Sequence, residues 1–362
     1  MVNSYKENWQ AYRDEELNKV TPILIELGFI LNEDQIHIGG ERYLSGGRKL
    51  VLLAHREFDN KKVIIKISSD ELMSAEIKKE WQSRQILKKI NFAYHIFFSP
   101  AEILFTVRED YTILITEFIE QESTFLARPL EDQFFISLKA FEAQEAVHAT
   151  TYEHANTIEK SFGIWDSHAY LEDFKKYSEN IKNNLGDKKD LNNLLDQSAR
   201  FIEKNLGIID LYSNFLTHWD FVPHNFRVTG HDMYLLDHSS IRFGNKYEGW
   251  ARFLNFMTLY NQDLEKVLLE YIKNNRDPKE FLSLRLMRVF RLTELIWHYV
   301  KTLKHAEGNL EILNKKRIDL WTNALASILQ NEQLDKSIVN DYKIARDSLR
   351  DDEEKQRQLN LH

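Results

Sequence analysis

The spacing of apolar residues changes character along this chain, and that change limits the available folds more than any single motif does. Residues 35–120 carry short runs rich in β-branched and aromatic side chains, whereas beyond residue 130 nearly everything except 216–243 repeats at helical spacing. The pattern implies an α+β chain of two lobes, a small antiparallel sheet with one inserted helix followed by a larger, mostly helical lobe. A leading segment over residues 1–34 carries Tyr5, Trp9, Tyr12, Leu17, Val20, Ile23, Leu24 and Leu27 roughly one helical face apart, and stops at Gly28. The runs 35–38, 42–45, 49–57 and 62–68 read as strands and hairpins, punctuated by Gly39-Gly40, Gly46-Gly47 and Asp59-Asn60. Residues 69–90 read as a helix opening at Ser69-Asp70, and 101–108 and 111–119 as two strands about a tight Glu109-Asp110 turn. The helical lobe then spans 121–345, and the charge-dense stretch 346–362 reads as a solvated helix end or frayed tail.

Composition narrows the functional classes. With 362 residues and 43% hydrophobic content the chain has ample material for a core. A formal charge of −8 argues against a nucleic-acid binder, which needs a basic footprint, and suits a cationic small partner better. The absence of cysteine excludes disulfides, thiolate nucleophiles and zinc–thiolate sites. The N-terminus is polar where a signal peptide needs an apolar core, and no run reaches the roughly 18 apolar residues of a membrane span. A soluble cytoplasmic protein with no membrane partner is expected; nothing in the chain speaks to its oligomeric state.

Chemistry concentrates in Leu216-Thr-His-Trp-Asp-Phe-Val-Pro-His-Asn-Phe-Arg-Val228 and the following Tyr234-Leu-Leu-Asp237. Phosphoryl transfer from ATP is mostly positioning and charge neutralisation: one carboxylate beside the acceptor hydroxyl, an amide and a second carboxylate holding Mg²⁺ against the phosphates. Asp220, Asn225 and Asp237 match those roles, and His218 would brace the loop rather than titrate in the reaction. Upstream, Lys66 stands in the β-branched run Val63-Ile-Ile-Lys-Ile, where alternation directs it away from Ile65 and Ile67. A carboxylate on the next helix would hold its ammonium as a fixed charge for the phosphates; Glu80 is preferred over Glu76 because Glu80, Arg84 and Leu87 share a face. Gly46 and Gly47 would let the backbone approach the phosphates, or simply make a turn.

These residues resemble the aminoglycoside phosphotransferase and choline kinase-like family, small-molecule kinases with a protein-kinase-like two-lobed fold, over roughly residues 36 to 300. The resemblance implies Lys66 as the strand lysine, Glu80 as its helix partner, and Leu114-Ile-Thr-Glu-Phe-Ile119 as a nucleotide-binding hinge acting through Glu117 and Ile119. It also implies His218, Asp220 and Asn225 as the catalytic loop, Asp237 as the second metal ligand, and Ala146-Val-His148 as the helix segment below that loop. The departures are specific. Trp219 stands where a glycine is usual, His224 replaces the loop glycine before Asn225, His238-Ser239 follows Asp237, and Gly249 replaces the second aspartate of a Gly-Asp-Pro-x-x-Asp-Leu-Ala segment.

The resulting expectation is an ATP- and Mg²⁺-dependent phosphotransferase acting on a small hydroxyl-bearing acceptor: an aminoglycoside, a choline-like amine or a sugar. Trp250, Trp297, Tyr299 and Trp321 with Glu248 and Glu294 would suit an amine, though at helical spacing such residues are read as core rather than cage. Two other readings stay open: a catalytically weak kinase-like nucleotide-binding module, and a metal-dependent phosphohydrolase built on His218, His224, His231-Asp232, Asp237 and His238.

Overall fold

The structure, a computed structural model, describes residues 5–45, 48–90, 98–146, 152–186, 188–230 and 232–359. Helix α1 (Tyr5–Glu26) leads into strand β1 (Phe29–Leu31), followed by β2 (Leu50–Arg56), β3 (Lys62–Ser68), helix α2 (Glu71–Lys89), β4 (Glu102–Arg108) and β5 (Tyr111–Glu117). The strands form one antiparallel sheet in the order β1-β2-β3-β5-β4. One face packs on α1: Leu50, Leu52 and Ala54 of β2 and Val63, Ile65 and Ile67 of β3 join Trp9, Val20 and Leu24 in a buried cluster. The period of two therefore leaves Val51, Ile64 and Lys66 on the opposite face, toward the helical lobe. Glu109 and Asp110 both take positive φ, 47° and 70°, as a tight hairpin turn requires.

Two expected strands are not strands. Residues 35–38 and 42–45 fall in 3₁₀ turns, Ile36–Ile38 and Gly40–Ser45, and the edge of the sheet is supplied earlier, by β1 within the segment read as helical. The cause is local. Gln35 meets the hydrogen-bonding demand of the β2 edge with its side chain, accepting from the Leu53 N–H at 2.9 Å and donating to the Leu53 carbonyl at 2.7 Å. Once that position is satisfied, nothing draws 35–38 into the ladder, and Gly40, at φ +58°, turns the chain away.

The second lobe comprises α3 (Leu130–Ala146), α4 (Tyr152–Phe162), α5 (Ser167–Leu185), α6 (Lys189–Glu203), α7 (Leu206–Leu211), then β6 (Phe215–His218), β7 (Phe226–Thr229), β8 (Asp232–Leu235) and β9 (Ile241–Gly244). Helices α8 (Tyr247–Tyr260), α9 (Gln262–Asn275), α10 (Pro278–Leu303), α11 (Asn309–Gln330), α12 (Lys336–Leu349) and α13 (Asp352–Leu359) complete it. Trp250 stacks on Phe141 with ring centroids 3.7 Å apart at the centre of a large apolar cluster built from α3, α5, α8, α10 and α11. Among the described residues no helix is long and apolar enough to cross a membrane.

Within the described residues the charged stretch 346–359 is docked, not frayed. Glu354 is only 1% exposed, accepts the Glu41 N–H at 2.9 Å, and is gripped by the Arg357 guanidinium at 2.6 and 2.8 Å. Asp351 also pairs with Lys6 at 3.1 Å. A run of mixed charge looks solvated until a surface of complementary charge is known, and here that surface lies some 300 residues back along the chain, at the 3₁₀ turns.

Candidate active site

Antiparallel β6 and β9 hold the two ends of the loop carrying Asp220, Asn225 and Asp237 together, with the Trp219 N–H donating to the Ser240 carbonyl at 3.0 Å. Buried His218 donates from Nε2 to the carbonyls of Leu236 and Asp237, both at 3.1 Å, and so ties the loop to the aspartate beyond the β7–β8 hairpin. Burial pushes its pKa down, keeping the ring neutral, as a brace requires. Asn225 donates its amide to the Asp220 carbonyl at 2.9 Å and to Asp220 Oδ2 at 2.8 Å. Arg252, from α8, donates to Asp220 Oδ1 at 2.8 Å. Burial raises the Asp220 pKa, but Arg252, Arg291 and His218 outweigh it and leave the carboxyl below its ordinary value.

Lys66 reaches from β3 to Glu80 Oε2 at 2.5 Å and to Asp237 Oδ1 at 3.2 Å, so the ammonium joins the two lobes. Glu80 is fixed in turn by Arg84 at 3.3 Å, whose guanidinium also donates to Ser99 Oγ and the Pro100 carbonyl. Glu76, the other candidate partner, binds Lys49 instead. Burial lowers and Glu80 and Asp237 raise the Lys66 pKa, the carboxylates winning. Asp237 sits in the left-handed region at φ 52°, with Ser239 and Ser240 of the next 3₁₀ turn donating to its carboxylate at 2.9 and 3.2 Å. Against burial, Lys66 and Lys49 hold its pKa far below the usual carboxylate range.

Asn225 and Asp237 line one cavity of about 270 Å³ between the lobes, together with Lys66 and Glu80. Because the Asn225 amide nitrogen is committed to Asp220, its oxygen is the atom left for a cation, beside the ionised Asp237. One amide and one carboxylate oxygen fit a hard divalent ion whose remaining ligands are phosphates and water. Among the described residues there is no cluster of three or more histidines and carboxylates able to hold a metal by themselves. His231, which the phosphohydrolase reading uses, lies outside the described residues, as do Gly46, Gly47, Val147 and His148. The cavity wall carries six cations, Arg42, Lys49, Lys66, Arg84, Arg227 and Arg357, against three carboxylates, Glu80, Glu117 and Asp237. Such an excess suits a polyanion. Val51 and Ile64 are apolar members of the lining, which also includes Glu117 and Ile119; the Glu117 carboxylate accepts from the Ala101 N–H at 2.7 Å.

Sequence reasoning missed four cations that matter here. Arg42 and Lys49 flank the glycine pair, a signal that was available; Arg252 follows Gly249 by three positions on α8, and Arg357 lies in the terminal helix with no local cue. The departures also find structural causes. Trp219 meets two guanidiniums, Arg242 and Arg291, each 5.0 Å from the ring centroid. A side chain at Gly249 would meet Gln144 Oε1, with its Cβ 3.0 Å from the His218 carbonyl oxygen and 3.2 Å from Thr217 Oγ1, so no aspartate fits there. His224 stands edge-on to Phe256, and His238 is buried behind the aspartate. Glu248 and Glu294, suggested as charges for an amine, are both engaged by Arg291, and Trp297 is stacked on Tyr177 at 4.9 Å.

A scan of protein-family models finds no match to this sequence. A search of curated proteins likewise finds none. Solved structures do match. An amicoumacin kinase, hAmiN, in complex with AMP-PNP, Ca²⁺ and Ami, aligns over 91% of this chain and 97% of its own at 9% identity, with a TM-score of 0.59. A thermostable mutant of the aminoglycoside phosphotransferase APH(4)-Ia, in ternary complex with AMP-PNP and hygromycin B, aligns over 86% and 98% at 13% identity, with a TM-score of 0.58. A type I macrolide 2′-phosphotransferase aligns over 84% and 97% at 14% identity, with a TM-score of 0.56. The chain therefore has the protein-kinase-like fold of the aminoglycoside phosphotransferases.

Proposed function

We propose that this protein is an ATP-dependent phosphotransferase that moves the γ-phosphoryl group to a hydroxyl of a small molecule. The observation that carries the reading is the meeting of Lys66, Asn225 and Asp237 on one cation-rich cavity, with Asp220 held against Asn225. The adenine would lie between Val51 and Ile64 near Glu117 and Ile119, and Lys66, steadied by Glu80, would bind the phosphates. Mg²⁺, held by the Asn225 oxygen and Asp237, would supply charge neutralisation. Asp220 orients the acceptor hydroxyl. As the acceptor oxygen bonds to the γ-phosphorus, the bond from that phosphorus to the β,γ-bridging oxygen breaks, ADP leaves, and the hydroxyl proton passes to Asp220. Both Asp220 oxygens already accept one hydrogen bond, which favours the weakly active reading as the second choice. Each carboxylate oxygen has a further lone pair, however, so the acceptor need not displace either partner. A cytoplasmic setting, where ATP is plentiful, agrees with this assignment.

The test is ADP release across a panel of hydroxyl-bearing metabolites and antibiotics, with product phosphorylation read by mass. Asp220→Asn is expected to lower kcat by about 10²- to 10⁴-fold while leaving ATP binding intact. ATP binding without turnover on any acceptor would favour the binding module.

A further inference from the structure

A second cavity, of about 210 Å³, lies beyond His224 from the nucleotide cavity, walled by α8, α10 and α11 and closed by α12 and α13. His224 and Arg357 line both cavities, and Arg252, the partner of Asp220, lines the second. A molecule held there adjoins the catalytic carboxylate. It is the smaller of the two cavities, about 210 Å³ against about 270 Å³, which favours a small acceptor.

Its charged lining consists of four arginines, Arg252, Arg317, Arg350 and Arg357, and two carboxylates, Glu41 and Glu354. Both carboxylates already carry guanidiniums: Glu41 holds Arg317 at 2.7 Å and Arg350 at 3.5 Å, and Glu354 holds Arg357 in a fork. The aromatic wall is similarly engaged, with Arg317 standing over Tyr299 at 5.3 Å and Phe256 stacked on Tyr260 at 4.2 Å. An ammonium entering this cavity would meet four guanidiniums against three carboxylates, Glu41, Glu354 and the Asp220 paired with Arg252, each of them already taken. An anion would meet guanidiniums, including Arg350, whose buried Nε lies 3.5 Å from Glu41 without making a hydrogen bond to it.

We propose that the second cavity binds the acceptor, and that the acceptor is a small hydroxylated anion, carrying a carboxylate or a phosphate, rather than an amine. The assignment of this ligand as acceptor rests on the phosphotransferase reading; its charge class rests on the cavity alone. The experiment is calorimetric titration of the full chain, saturated with Mg²⁺ and AMP-PNP so that the nucleotide cavity is filled. The probes are four matched hexose derivatives: glucose 6-phosphate, gluconate, glucose and glucosamine. At least one of the two anions is expected to bind about tenfold or more tighter than glucose, with glucosamine weakest, and which anion wins separates phosphate from carboxylate. Arg350→Gln should remove that preference without changing AMP-PNP affinity. Glucosamine binding as tightly as the anions, neither anion binding, or a preference unchanged in Arg350→Gln would each overturn the proposal. If the anions bind as expected but ADP release never follows with ATP, the charge class stands and the phosphotransferase reading fails.

Discussion

Asp220 and Gly249 show how single residues shape the loop between β6 and β9. Asp220 is oriented from two sides, by the Asn225 amide and the Arg252 guanidinium, so its position is set before any acceptor arrives. Gly249 allows α8 to approach so closely that its own N–H donates to Thr217 Oγ1 at 3.3 Å, in place of a buried carboxylate. Gly249→Ala should therefore cost about 1–3 kcal/mol of stability by overpacking, measured by denaturant unfolding; an unchanged midpoint would show that the loop and α8 separate easily. Much of this site was legible residue by residue. Asp220, Asn225 and Asp237 lie in one local stretch, and the two-residue alternation of β3 alone directs Lys66 away from the core. Arg252 was not legible, because its pairing with Asp220 depends on how α8 crosses the loop, which no spacing within either segment records.

At the scale of elements, α13 is the piece whose role the chain conceals. Its Glu354 completes the hydrogen bonding of the 3₁₀ turn at Glu41, and its Arg357 lines the cavity between the lobes with Lys66 and Asp237. Removing residues 351–362 should weaken ATP binding about tenfold or more, by loss of one phosphate-facing guanidinium and of the support for the turns that carry His37 and Arg42. ATP-induced shifts in melting temperature check this: equal shifts in the truncated and full-length chains would assign α13 a purely peripheral place. Long periodic helices such as α2 and α10 are readable because their own side chains decide them, and β5 because its run is apolar and β-branched. The segment 35–45 was misread because Gln35 and Gly40 override its weak β pattern, and the end of the chain because its charges are matched only by a distant surface.

The whole molecule places buried histidines and ionised carboxylates against the same cleft, which gives its stability a definite pH dependence. Burial holds His218 and His238 below their ordinary pKa of 6.5, so their contribution to stability is full above that value and declines as pH falls through the window beneath it. Each contributes a loss of about 1.4 kcal/mol per pH unit across its window. Asp220 and Asp237, with depressed pKa values, act in the same direction lower down, below about pH 4. The melting temperature should be nearly level from about pH 8 to 7 and fall from about pH 6.5 to 5; a rise on acidification would contradict the buried neutral histidines.

The central claim is that the cleft binds a nucleotide polyphosphate through a divalent cation held by Asn225 and Asp237. Its most direct measurement is calorimetric titration with AMP-PNP, with and without Mg²⁺, for the native chain and Asp237→Asn. Binding should require Mg²⁺ and weaken about 10- to 100-fold in the variant, the usual cost of disturbing a metal's ligand set. Affinity that is the same without Mg²⁺ and in Asp237→Asn, or no binding at all, would contradict the account.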